Sequence, residues 1–165
     1  MVGPSASRVR TLHPIGRCDL AATRVARAVW NGDLLSGTGV VTAASSGKFA
    51  ELPVSWSART EAPGGKSSPE ELLAAAHASC FAMALSAGLA KAGTRPNRLE
   101  VRSKVTFDKV GDSWTVVSSE LEVTGEVPGA DAEGFTRAAD DAKENCPISR
   151  ALKGSVKLSV RANLA

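Results

Sequence analysis

The sequence has no tyrosine, and aromatics make up only 4% of its 165 residues. That scarcity argues against a base-stacking platform, and the core has to be built from Ala, Val and Leu, which favours close helix packing. Charge of one sign is also lacking. The formal net charge is +3, and Arg8, Arg10 and Arg17 against Asp19 place a net +2 of it in residues 1–22. With no basic stripe in the remainder, nucleic-acid binding is not expected. The N-terminal stretch has no apolar run of the signal-peptide kind. No internal repeat and no low-complexity segment is visible. Histidine and cysteine number two and three, too few for an array of metal sites.

What is present is enough apolar residue, 43%, for one domain with a real core. Residues 1–22 read as a disordered extension, in which His13 and Cys18 are spectators, and residues 23–165 as the folded domain. Residues 72–90 carry no charge, close to the length of a membrane span. Eight of these nineteen are Ala, interrupted by His77, Ser79, Ser86 and Gly88. Alanine adds little insertion energy, so this segment reads as a buried helix of a soluble protein, covered on most sides.

Residues 24–30, 38–43 and 50–57 read as extended segments separated by turns at Asn31-Gly32-Asp33 and Ser45-Ser46-Gly47, an N-terminal β-meander. Ser68, Pro69 and Glu71 form a helix start with the S-x-x-E spacing of a capping box, and the helix should run to about residue 92. Leu99, Val101, Val105 and Phe107 alternate with polar residues in a strand. A second strand over 114–127 slips phase near Ser118-Ser119, as a bulge would cause. A helix over 131–145 turns Phe135, Ala138, Ala139 and Ala142 inward and is interrupted by Pro147. One further turn over 148–152 and a strand over 156–161 complete an α+β pattern, βββ-α-ββ-α-β.

Cys80 and Cys146, sixty-six residues apart, stand in different settings. Cys80 lies in the middle of the long helix. It is about 18 Å beyond the Ser68 cap, too far for the helix dipole to support a thiolate. A reactive Cys80 would need a fixed cation, ideally an arginine. Cys146 stands at a helix break, where a cysteine has freedom to move. The residues alone leave Cys80 open between inert core and redox thiol, and Cys146 between resolving thiol and chance. A metal set of His77, Cys80 and Cys146 matches no common zinc spacing. A hydrolase using His77 as base for Cys80 leaves no room for substrate on one buried helix. Arg59 sits in an extended polar stretch, and Glu70 and Glu71 are ordinary helix-start acids.

Taken together, these residues carry a resemblance. The run SSPEELLAAAHASCFAMALS at 67–86 and the run KENCPISRAL at 143–152 resemble the two cysteine motifs of the osmotically inducible protein C (OsmC) family. WNGD at 30–33 and SARTE at 57–61 match in order, so the likeness spans residues 23–161. It implies a cytoplasmic thiol peroxidase that reduces organic hydroperoxides, and hydrogen peroxide less well, in defence against oxidative or osmotic stress. It also implies an intertwined homodimer with back-to-back central helices and active sites at the subunit interface. The implied roles are Cys80 as peroxidatic thiol and Cys146 as resolving thiol. Arg59 would stabilise thiolate and peroxide, with Glu70 orienting it. No bound cofactor or metal is implied; an external dithiol, a lipoylated protein or dithiothreitol, would reopen the Cys80–Cys146 disulfide. Arg59 in S-x-R-x-E favours the OsmC branch over its sister, the organic hydroperoxide resistance (Ohr) proteins. Two other readings stay open: a non-peroxidase thiol–disulfide protein of the same superfamily, and a module binding a lipid-like ligand.

Overall fold

A computed structural model describes residues 21–165; Cys18, His13 and most of the 1–22 extension lie outside the described residues. Two three-stranded sheets are present. The first is a meander of β1 (Arg27–Asn31), β2 (Thr38–Thr42) and β3 (Leu52–Val54), antiparallel throughout. The second orders β4 (Arg98–Val110), β5 (Ser113–Glu126) and β6 (Lys157–Leu164), with β4–β5 an antiparallel hairpin and β6 parallel to β5. The described residues also form four helices: α1 (Trp56–Thr60), α2 (Pro69–Lys91), α3 (Ala132–Asn145) and α4 (Pro147–Leu152).

The core belongs to the second sheet and the helices on it. Phe81, Leu85 and Leu89 of α2, Leu121 and Val123 of β5, and Phe135 and Ala139 of α3 form one buried cluster. Phe135 packs so closely on β5 that a Cβ at Gly125 would stand 2.4 Å from its ring, so only glycine fits there. The opposite face of the sheet is polar, with Lys104 and Glu120 at 3.7 Å and Arg161 and Glu122 at 3.5 Å.

The bulge expected near Ser118-Ser119 is present: Thr106 pairs with Ser118 and Phe107 with Val116, leaving Val117 as the extra residue. Three expectations need correction. Arg59 does not lie in an extended stretch: α1 forms there, capped by Ser55, whose hydroxyl accepts from the Ala58 N–H at 3.2 Å. The α2 helix is not covered on most sides of this chain. Its buried residues fall along Glu70, His77, Phe81, Leu85 and Leu89, while Ala76, Ser79, Met83 and Ala87 are exposed. Cys146 is not loosely held, being fully buried with its N–H bonded to the Ala142 carbonyl at 2.8 Å.

Candidate active site

The long helix begins as its sequence requires. Ser68 caps it, accepting from the Glu71 N–H at 3.2 Å, with Pro69 in the first turn. The Glu71 carboxylate accepts from the Ser67 hydroxyl at 2.7 Å. Glu70, one residue earlier, turns inward and is buried.

Glu70 meets Arg59 there. Nε and Nη2 of Arg59 both donate to Oε1 of Glu70, at 2.9 and 2.7 Å. The guanidinium lies over the Phe107 ring, 4.0 Å from its centroid, a cation–π seat that fixes its plane. Phe107 stacks on Trp114 at 5.1 Å, and Trp56 stands edge-on to both. Because both bonds fall on one oxygen, Oε2 of Glu70 is buried with no hydrogen-bond partner among the described residues. Beside the pair runs a cleft of about 970 Å³, lined among others by Arg59, Glu70, Lys66 and Arg102.

The thiols lie elsewhere, deeper in the fold. Cys80 is half-buried and Cys146 fully buried, both unbridged, and they are neighbours in the core cluster. Burial pushes the Cys80 thiol above its ordinary range. A backbone N–H bond from Ile148 pulls it down, and the neighbouring Cys146 pushes it up again. No cation is among the groups acting on it. The helix rise explains why. Glu70, to which Arg59 is tied, is ten residues before Cys80 on α2, about 15 Å along the axis. The structure therefore brings Cys80 to Cys146 and Arg59 to Glu70, but within one chain it does not bring the two pairs together.

Residue-by-residue reading missed His77 as a structural centre. It is fully buried. Nδ1 lies 2.7 Å from the Ser119 hydroxyl and Nε2 2.8 Å from the Ser149 hydroxyl, with Ser103 3.2 Å beyond Ser119. Burial holds the imidazole below its ordinary pKa, so it is neutral. The one trace of this in the sequence is Ser119, a polar residue on the apolar phase of β5. No metal-holding group of three or more His, Cys, Asp or Glu side chains occurs among the described residues.

A mid-helix cysteine beside a second cysteine at the start of a short helix, on an α+β frame of this topology, defines the OsmC/Ohr class of thiol protein. Crystallographic OhrB of Bacillus subtilis shares the fold, with a TM-score of 0.66 at 22% identity over 84% of this chain and 98% of that one. The family model described as OsmC-like protein matches residues 62–161, and the chain belongs to that family. It is 38% identical to Peroxiredoxin OsmC of Escherichia coli over 132 residues, 80% of this chain and 91% of that protein. It is 28% identical to the organic hydroperoxide resistance protein of Xanthomonas axonopodis pv. citri, over 72% of this chain and 82% of that protein.

Proposed function

We propose that the protein is a thiol peroxidase that reduces organic hydroperoxides to alcohols through a Cys80–Cys146 disulfide. The adjacency of these two thiols in the core, in a chain related to a named peroxiredoxin, carries the reading. The Cys80 thiolate attacks one peroxide oxygen. An S–O bond forms, the O–O bond breaks, and the alkoxide leaves as alcohol after taking a proton. Cys146 then attacks the sulfenic acid, forming the S–S bond and releasing water. An external dithiol, lipoyl-type or dithiothreitol, returns two electrons by exchange. No bound metal or cofactor takes part in this scheme.

The cation that Cys80 needs comes, in this proposal, from a second copy of the chain. The exposed, uncharged face of α2 is a helix-packing surface. An antiparallel copy laid on it brings the other chain's helix start, with its Arg59–Glu70 pair, toward Cys80. Arg59 then stabilises the thiolate and the charge developing on the leaving oxygen. Glu70 and the Phe107 face hold the guanidinium in plane. The apolar helix surface around Cys80 favours a hydrocarbon-bearing peroxide over hydrogen peroxide.

Fully reduced protein mixed with one equivalent of cumene hydroperoxide tests the reading. A rapid loss of two hydrogens, mapped by mass spectrometry to Cys80–Cys146, is expected. Both thiols still free after minutes would overturn it in favour of disulfide exchange or ligand binding. The second-order rate constant should also be larger for cumene hydroperoxide than for hydrogen peroxide.

A further inference from the structure

We infer that His77 is a positioning residue for disulfide closure, a strut that holds the helix carrying Cys146 against the helix carrying Cys80. The inference rests on the two-cysteine reading above.

The helix α4 is seated by the apolar packing of Cys146 and Ile148, and His77 adds a polar tie to it. It is six residues long, and Cys146 at its N-cap makes no side-chain capping bond. A helix of that length does not hold itself. Its buried polar anchor is Ser149, 2% exposed, whose hydroxyl lies 2.8 Å from Nε2 of His77. The ring is fixed in turn through Nδ1 on Ser119 of β5, which is backed by Ser103 of β4. A neutral imidazole has one donor and one acceptor nitrogen, and two serine hydroxyls satisfy either tautomer. His77 stands one turn before Cys80 on α2, and Ser149 three residues after Cys146. A single rigid ring therefore sets the approach of the two sulfurs. Disulfide formation tolerates only a narrow range of Cα separation, so release of α4 should slow closure strongly, while the attack by Cys80 loses only the Ile148 N–H bond and slows much less.

The two ring nitrogens separate a kinetic role from a purely structural one. Asparagine places its amide near the position of Nδ1, and glutamine near that of Nε2. His77→Asn therefore keeps the bond to the sheet and loses the one to α4, while His77→Gln does the reverse. Closure is read without peroxide, in a Cys18→Ser background, with Ellman's reagent. Cys80 attacks the reagent, forming a mixed disulfide and releasing one thionitrobenzoate. Cys146 then attacks the Cys80 sulfur, closing the protein disulfide and releasing a second. In Ser149→Ala and His77→Asn the first release should stay within about threefold of the parent and the second should slow at least tenfold. His77→Gln should close within about threefold of the parent. With excess cumene hydroperoxide, the slow variants should also accumulate Cys80 sulfinic acid. The core variant Val123→Ala controls for general loosening. Parental closure in Ser149→Ala and His77→Asn, or equal slowing in Val123→Ala, would overturn the strut. A parent that closes with Ellman's reagent but ignores peroxide would instead overturn the peroxidase reading and leave the strut standing.

Discussion

Burial acts on the two cysteines in opposite service. Cys146 is sealed from solvent and reaches only its neighbour, which suits a thiol that should meet a sulfenic acid and nothing else. Cys80 is half-open, yet its thiol is pushed up by burial and by Cys146, against a single N–H bond from Ile148. Within the single chain it is therefore poorly ionised. Cys146→Ser should consume one equivalent of cumene hydroperoxide and then stop. Mass spectrometry should find Cys80 moving to sulfinic acid under excess peroxide. Arg59→Lys should slow the first oxidation about a hundredfold. An ammonium has no planar face to seat on Phe107 and no second N–H in the geometry that Glu70 accepts; stopped-flow oxidation of reduced protein reads this directly. Both cysteines and Glu70 are nominated by long contiguous motifs and Arg59 by the short stretch SARTE; the structure places Cys80 beside Cys146 and Arg59 on Glu70. His77 is weighed in the sequence only as a metal ligand or a base and set aside; its structural role is not legible there, since its partners stand 42 and 72 residues away.

At the scale of elements, long periodic segments were readable and short ones were not. The alternation in β4 and β6, the capped start of α2 and the inward stripe of α3 follow directly from hydrophobic period and capping chemistry. The five residues of α1 are too few to display a helical period, and only Ser55 signals the turn that aims Arg59. The slip in β5 was visible as a change of phase, but side-chain phase alone does not identify which of three adjacent residues is extra. The polar strut between α2, β5 and α4 makes a prediction of its own. His77 has its folded pKa below the ordinary value of 6.5 because of burial. Well above pH 6.5 neither folded nor unfolded chain holds that proton, and stability does not depend on it. As pH falls below 6.5, the unfolded chain takes up a proton that the buried ring refuses, so stability falls until the folded site protonates. Urea midpoints at a fixed protein concentration should therefore decline between about pH 6.5 and pH 5. His77→Gln should flatten that decline, because carboxylates titrate lower and thiols higher.

Over the whole molecule, the described chain is divided between a packed half and an uncovered one. No residue of β1, β2 or β3 enters the core cluster, and all five residues of β1 are exposed. Val29, Trp30, Leu35 and Met83 are exposed in the single chain. The order of elements was legible in the sequence. The exposed face of α2 was not legible from composition or period, because a helix apolar on every side reads the same whether its own chain or a second copy covers it; only the family resemblance implied a second copy there. The separation of Arg59–Glu70 from Cys80 along α2 turns this into a test of where each catalytic group comes from. Arg59→Ala and Cys80→Ser should each be inactive alone. If Arg59 acts on the other chain's Cys80, a mixed dimer of the two variants contains one site with both lesions and one with neither. After subunit exchange in an equimolar mixture, half of the dimers are mixed, so peroxide turnover should return to about a quarter of the parental rate. If Arg59 serves its own chain, every site in the mixture carries one lesion and no turnover returns. Rescue on mixing would make the protein a peroxidase only as a pair, with the exposed face of α2 as the seam along which each subunit completes the other.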